Sequence, residues 1–166
     1  VGSVSVNMGK VVLDGKLIPS TLEGDPVVAR EISVGGQAYK ATLVNVGNPH
    51  CVIFCEKVDA VDVANVGPLF EYAPYFPQRI NAEFVRVVNA KTLKMRVWER
   101  GNGETLACGT GAAASVVAAV LNGHCKMDED ITVKVRGGDL IARYSSDGTV
   151  TLTGSAKLVF EGTVEF

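Results

Sequence analysis

A cysteine stands between glycines just before the one long apolar helix that the sequence predicts. Cys108 lies at the end of a glycine-rich segment that begins at Gly101, and it directly precedes a helix predicted over residues 109–122. The first turn of a helix leaves N–H groups free and carries the positive end of the helix dipole. Gly109 and Gly111 would let a ligand approach this backbone closely. The pattern predicts a binding site for a carboxylate or a phosphate beside a thiol.

Cys108 itself has two interpretations on this evidence. Helix N-termini are among the places where the pKa of a thiol falls below its usual value of about 8.5, and Cys108 would then act as a base or a nucleophile. Alternatively, Cys108 only fills a small space in front of the helix. The residues of this segment leave both interpretations open.

A carboxylate close to this segment adds a second candidate for chemistry. Glu99 continues the apolar face of a strand predicted over residues 92–100, because alternate residues of a strand share a face. That face carries Leu93, Met95 and Val97. A carboxylate on an apolar face is costly unless it is paired or functional. In the alternative interpretation the strand has already ended at Glu99 and its side chain is solvated.

The composition excludes several classes of protein. The 166 residues are 47% hydrophobic and 20% charged, which is typical of one folded domain with a sizeable core. Sixteen Lys and Arg against 18 Asp and Glu give a net charge of −2, without a basic cluster that would indicate a nucleic-acid partner. The sequence shows neither an apolar run long enough for a membrane span nor a signal-peptide pattern. We therefore expect a cytoplasmic protein with no membrane partner.

The four cysteines do not predict a disulfide framework or a metal site. No C-x-x-C occurs, and four cysteines are few for a chain of this length. The neighbours His50-Cys51 and His124-Cys125 would point to opposite faces if they lie on strands, so neither pair readily holds one ion. We expect reduced, mostly buried cysteines and no structural metal.

The remaining segments predict several hairpins. The strands are predicted over residues 27–34, 37–46, 50–56, 82–88, 92–100, 131–136, 140–145 and 149–153. Gly35-Gly36 is a two-residue hairpin signal between the first two of them. Another hairpin is predicted around residues 89–91.

Two helical segments complete the pattern. A broken helix is predicted over residues 59–72, with Asp62 as its N-cap and Gly67-Pro68 as the interruption. The helix over residues 109–122 has almost no polar face, and a helix that is apolar all round is buried. The sequence therefore predicts an α+β fold, in which a mostly antiparallel sheet is wrapped around one buried central helix.

Three segments carry a resemblance to a known family. Residues 98–111, WERGNGETLACGTG, closely resemble the C-terminal signature of the diaminopimelate epimerases. Residues 47–52, GNPHCV, and residues 79–84, RINAEF, resemble two further motifs of that family and come in the same order. The resemblance covers essentially the whole chain, and it implies the two-domain, pseudo-symmetric epimerase fold.

This resemblance implies a reaction and a role for several residues. The family inverts the α-carbon of LL-diaminopimelate to the meso form, in lysine and peptidoglycan precursor biosynthesis, without pyridoxal phosphate or a metal. Two cysteines face the carbon from opposite sides, one as the base and one as the acid. The resemblance implies that Cys108 is one of them, that Glu99 tunes its pKa, and that His50 tunes the pKa of the other cysteine. Substrate-binding positions are implied at Asn48, Asn81, Glu99, Arg100, Gly109 and Thr110.

The chain also departs from the family pattern. The second cysteine of the family stands in a Cys-Gly-Asn motif, and no cysteine here is followed by Gly-Asn. The chain therefore resembles the C-terminal portion of the enzyme, with the epimerase domain over residues 1–154. Residues 155–166 are expected to pack on the N-terminal domain that is missing here, and the chain alone is expected to be inactive. The resemblance leaves open a homodimer of the full-length enzyme.

Two alternatives of different kinds remain at this stage. One is another isomerase of the same fold, similar to the proline racemases or to the phenazine-biosynthesis isomerases. The other is a module that binds a carboxylate at the helix start without catalysis.

Overall fold

One mixed sheet runs through the computed structural model, which describes residues 2–166. The strands are β1 (Ser3–Lys10), β2 (Arg30–Val34), β3 (Gln37–Asn45), β4 (Pro49–Phe54), β5 (Asn81–Asn89), β6 (Thr92–Glu99), β7 (Gly103–Glu104), β8 (Ile131–Val135), β9 (Gly138–Tyr144) and β10 (Thr149–Ser155). Their order across the sheet is β1-β10-β9-β8-β6-β5-β4-β3-β2, and β7 pairs with β6 off this path. The helices within these residues are α1 (Val63–Glu71) and α2 (Gly109–Leu121), with a short 3-10 turn at Val58–Ala60.

The predicted hairpins are confirmed. β2 and β3 pair antiparallel with Val34 opposite Gln37, and Gly35 and Gly36 between them have φ of 58° and 79°. Such a turn requires positive φ at both central residues, which glycine adopts without steric cost. β5 and β6 form the second hairpin, and β8, β9 and β10 follow one another as antiparallel neighbours.

Two strand pairs are parallel, which places the helices on opposite faces of the sheet. β4 pairs parallel with β5 through α1, and β6 pairs parallel with β8 through α2. The crossovers from β4 to β5 and from β6 to β8 both move across the sheet toward β1. Because β5 and β6 run antiparallel, two right-handed crossovers that move in the same direction place their helices on opposite faces of the sheet. The side chains of β6 agree with this placement, because Val97 belongs to the core around α2 and Trp98 packs on α1.

The helix α2 is buried all round, as the sequence predicts. Its residues from Gly111 to Ala119 are buried, and most of them are alanine or valine. It packs against β3, β4, β5, β6, β8, β9 and β10. The small side chains allow this close approach, and the α+β architecture around a central helix is confirmed. Gly123 follows the end of the helix with a φ of 78°.

The predicted interruption of α1 is wrong. The helix runs through Gly67 and Pro68, and it begins only at Val63. Packing on Trp98 outweighs the poor helix propensity of these residues, since Gly67 lies so close to the indole ring that a Cβ would overlap it. Asp62 occupies the N-cap position, but its carboxylate accepts from the Asn65 side chain rather than from a helical N–H.

The last residues form neither a helix nor a strand. β10 ends at Ser155, and the segment from 156 to 166 exposes large apolar side chains, among them Leu158 and Phe160. Its packing on another domain stays a prediction. Within the described residues, neither helix is both long and apolar enough to cross a membrane.

Candidate active site

The start of α2 is organised around Cys108. This residue has an extended backbone (φ −138°, ψ 109°) and caps the helix. The N–H of Gly111 donates to its Sγ at 3.3 Å, and Thr110 Oγ1 lies 3.5 Å from the same sulfur. Since the first N–H groups of a helix have no partner inside it, those of Gly109 and Thr110 are left for an acceptor beside the thiol.

The helix start does not bring the pKa of the Cys108 thiol below its usual value in this chain. Burial, followed by the nearby carboxyl of Glu83, raises the pKa of the Cys108 thiol to about 11. The hydrogen bonds from Thr110 and Gly111 act in the lowering direction, but each contributes less. Cys108 is therefore a neutral thiol near pH 7, because burial and acidic neighbours outweigh the helix start.

Glu99 lies where the strand pattern predicts. It ends β6 and is half-buried, and its carboxylate Oε1 accepts a hydrogen bond from the Thr105 hydroxyl at 2.6 Å. Its charge also contributes to the raised pKa of Cys108. The carboxylate is thus fixed near the thiol, in contrast to the alternative of a freely solvated strand end.

Asn48 and His50, at the start of β4, form a second part of the site. The Asn48 amide Nδ2 donates to Thr110 Oγ1 at 3.2 Å, although the two residues are 62 positions apart. Behind it, His50 Nε2 lies 2.9 Å from Asn48 Oδ1, and the imidazole is fully buried. His50 therefore reaches the helix start through Asn48 rather than directly.

Asn81 and Arg100 form the connection between β4, β5 and the end of β6. The buried Asn81 donates through Nδ2 to the carbonyl of Pro49 at 2.8 Å, and its Oδ1 accepts from the Arg100 N–H at 2.8 Å. The guanidinium of Arg100 is half-buried and donates to the carbonyl of Gln78 at 3.1 Å. In this chain Asn81 holds the strand ends together, and Arg100 keeps further donors free for a ligand.

Two buried carboxyl groups belong to this region and were missed from the sequence. Glu83 lies on β5 with no exposed surface, 2.6 Å from His50 Nδ1, and burial raises the pKa of its carboxyl. A Cβ at Gly111 would lie 2.8 Å from Glu83 Oε1, so the helix start is packed onto this carboxyl. The sequence does indicate that Glu83 faces the site, because Glu83 is two residues after Asn81 and alternate residues of a strand share a face.

The other missed carboxylate, Glu71, anchors the turn that follows β6. It accepts from Trp98 Nε1 at 2.7 Å, from the Gly101 N–H at 2.9 Å and from Arg79 Nη1 at 3.0 Å. Its side chain is almost fully buried. No local pattern reveals this role, because the partners lie up to 30 residues further along the chain.

Part of the predicted site reaches the protein surface. Asn48, Glu99, Arg100 and Thr110 are all half-buried around the start of α2. A cavity of about 640 Å³ lies elsewhere, and its lining includes Phe54 and His124 but none of the predicted site residues. Among residues 2–166, no group of three or more His, Cys, Asp or Glu side chains could hold a metal ion.

Solved structures with the same fold define a class of protein. A hydroxyproline epimerase from Agrobacterium vitis matches 93% of this chain and 50% of its own length, with a TM-score of 0.65 and 12% identity. A probable proline racemase from Agrobacterium radiobacter matches 96% of this chain and 54% of its own length, with a TM-score of 0.64 and 11% identity. At such low identity the likeness shows the fold, which is that of the proline racemases and diaminopimelate epimerases.

The sequence comparisons define the family within that class. The family model for diaminopimelate epimerase matches residues 42–159. A diaminopimelate epimerase from Synechococcus elongatus is 52% identical over 166 residues, which is 99% of this chain and 59% of that protein. One from Desulfitobacterium hafniense is 47% identical over 98% of this chain and 56% of its own length. The chain belongs to the diaminopimelate epimerase family, and it spans rather more than half the length of these curated relatives.

Proposed function

We propose that this chain carries one half of the active site of an amino-acid epimerase that converts LL-diaminopimelate to the meso form. The observation that carries the proposal is the placement of Cys108 at an anion-binding helix start, beside Glu99 and the Asn48 amide. Membership of the family and the names of its relatives support the substrate.

The helix start supplies the electrostatic part of the mechanism. The free N–H groups of Gly109 and Thr110 bind the α-carboxylate of the substrate. When the α-proton leaves, negative charge spreads from the carbon into that carboxylate, and the N–H groups stabilise it where it develops. No cofactor takes part in this stabilisation.

Cys108 exchanges a proton with one face of the α-carbon. In one direction its sulfur takes the proton from the carbon, and a second sulfur on the opposite face delivers another proton to the carbon. In the reverse direction the roles are exchanged, and Cys108 delivers the proton. The neutral resting state of Cys108 suits delivery, while the ammonium group of the bound substrate offsets the negative charge of Glu99 and lowers the thiol pKa.

The other residues orient the substrate and tune the two sulfurs. Arg100 and Asn81 lie at the end of β6 and the start of β5, where Arg100 offers charged donors to the distal carboxylate of a dicarboxylic substrate. Glu99 tunes Cys108 through its charge. His50 orients the Asn48 amide, and the resemblance of residues 47–52 to the family motif supports a role for His50 in tuning the second sulfur.

The second sulfur and the opposite wall belong to an N-terminal domain outside this chain. Sites that lie between domains need both walls to exclude water and to place the reacting groups. The exposed apolar side chains Leu158 and Phe160 in the last segment support the proposal that residues 155–166 pack on that domain. The chain alone is therefore inactive.

The test combines this chain with the missing domain. The part of the Synechococcus elongatus relative that lies outside the matched region is produced separately or fused to this chain. Exchange of the α-proton of LL-diaminopimelate with D₂O is then followed by NMR, with proline as the competing substrate. We expect exchange on LL-diaminopimelate with the fused protein and none with this chain alone. Exchange on proline instead would favour another isomerase of the fold, and an inactive but folded fusion would support a non-catalytic module.

A further inference from the structure

A continuous row of polar contacts leads from the buried interior to the thiol of Cys108. It begins at Glu83, whose Oε1 lies 2.6 Å from His50 Nδ1, and continues from His50 Nε2 to Asn48 Oδ1 at 2.9 Å. The Asn48 amide then meets Thr110 Oγ1 at 3.2 Å, and Thr110 Oγ1 lies 3.5 Å from the Cys108 sulfur. We call these five residues the Glu83–Cys108 relay.

The order of donors and acceptors along the relay follows from its middle members. An amide nitrogen only donates and an amide oxygen only accepts, so Asn48 donates to Thr110 and accepts from His50. His50 Nε2 must therefore carry a hydrogen. Because Thr110 Oγ1 accepts from Asn48, its own hydrogen is free to point at the Cys108 sulfur.

The buried end of the relay holds one proton between two groups. Since Nε2 of His50 is protonated, the short contact between Nδ1 and Glu83 contains a single proton that either atom can carry. Glu83 Oε2 is buried and has no hydrogen-bond partner among the described residues, so a bare carboxylate would be costly here. Sharing the proton leaves the pair with no net charge.

We propose that Glu83 is a positioning residue for the Cys108 sulfur. By sharing one proton with His50, Glu83 keeps Nε2–H directed at Asn48. The amide of Asn48 then turns the hydroxyl hydrogen of Thr110 toward Sγ, where it stabilises the thiolate whenever one forms. The catalytic role of this arrangement rests on the proposed function, but the relay itself acts on the thiol in the absence of substrate.

Other charged groups around the relay act on the same thiol through space. Glu99 on β6 raises the pKa of Cys108 and also that of Glu83. Cys51 on β4 is fully buried, and burial, followed by the nearby carboxyl of Glu83, raises the pKa of its thiol. A test must therefore separate the oriented contact through Thr110 from these through-space effects, which do not depend on the Thr110 hydroxyl.

A double-mutant cycle makes this separation. The pH dependence of Cys108 alkylation is measured by peptide mapping in the wild-type chain, Glu83→Leu, Thr110→Val and the double variant. Any through-space effect of losing the Glu83 carboxyl is the same in both backgrounds, whereas loss of the relay slows alkylation only where Thr110 is present. We expect the alkylation rate of the Glu83→Leu variant, divided by that of its parent, to be about three- to tenfold higher in the Thr110→Val background than in the wild-type background. Equal effects in the two backgrounds would overturn the relay.

A second measurement needs no destabilising variant. The chain has two histidines, so ¹⁵N-histidine NMR of the His124→Gln protein reports on His50 alone. We expect Nε2 to carry a hydrogen and Nδ1 to share its proton with Glu83, and we expect Glu83→Gln to retain Nε2–H because its amide donates to Nδ1. An unprotonated Nε2 in the wild-type protein would contradict the proposal. Neither experiment uses substrate, so a failure of the relay is distinct from a failure of the epimerase assignment.

Discussion

Substitution of Gly111 by alanine tests the close packing of the helix start on Glu83. In an ordinary helix, glycine to alanine stabilises by about 1 kcal/mol. At this position the new Cβ would lie 2.8 Å from Glu83 Oε1, 3.2 Å from Cys108 Sγ and 3.3 Å from Cys108 Cβ. The carboxyl cannot swing away cheaply, because it is fully buried and held by His50. Overpacking costs about 1 to 3 kcal/mol, so the net effect is a loss of up to about 2 kcal/mol.

Gly109→Ala is the matched control in the same helix. Its Cβ would lie 2.8 Å from Leu152 Cδ2, the far end of a flexible and half-buried side chain. This contact can relax, so we expect unchanged or slightly increased stability. The free energy of unfolding of both variants is measured by urea denaturation with fluorescence and circular dichroism. Equal stability of Gly111→Ala and Gly109→Ala would contradict close packing of Glu83 against the start of α2.

Three further predictions concern charge around the site. Glu99→Gln lowers the pKa of Cys108 and speeds its alkylation a few-fold at pH 8, and an unchanged rate would show that the carboxylate does not act on the thiol. The pKa of Cys108 is raised from 9.0 to about 11 in the fold, so the folded state binds more protons between these values and stability falls as pH rises from about 9 to 11. Cys108→Ala should remove part of that alkaline loss, as measured by thermal unfolding across this pH range. Glu71→Gln should destabilise the protein by about 1 to 3 kcal/mol in urea, because an amide cannot accept from all three donors, whereas Glu31→Gln on the exposed side of β2 should change little.

The local sequence carries much of the fold. The glycine pair between β2 and β3, the apolar residues of α2 and the alternation along β6 each predict an element through one strong local preference. The break in α1 was misplaced because Gly67 and Pro68 have poor helix propensity. What keeps the helix intact there is the contact of Gly67 with Trp98, 31 residues further along the chain, and no local pattern contains it.

The residues of the site could be predicted from the sequence, but the pKa of the Cys108 thiol could not. Cys108 and Glu99 stand out by position, one at a helix start and one on an apolar strand face. The raised pKa of Cys108 could not be predicted, because it depends on how deeply the thiol is buried and on the distance to Glu83. That distance arises only when β5 is placed beside the start of α2, which is a consequence of the tertiary fold.

The central claim is that Cys108 exchanges a proton with one face of the substrate α-carbon. The most direct test is the rate of conversion of LL-diaminopimelate to the meso form by the chain fused to the proposed N-terminal domain, compared between Cys108→Ala and Cys125→Ala. Cys125 is also a free and largely buried thiol, but it lies beyond the far end of α2. We expect Cys108→Ala to lose a factor on the order of 10² to 10⁴ or more in conversion, as for removal of a general acid or base, and Cys125→Ala to convert at nearly the wild-type rate. Conversion by the folded Cys108→Ala protein at the wild-type rate would contradict the claim.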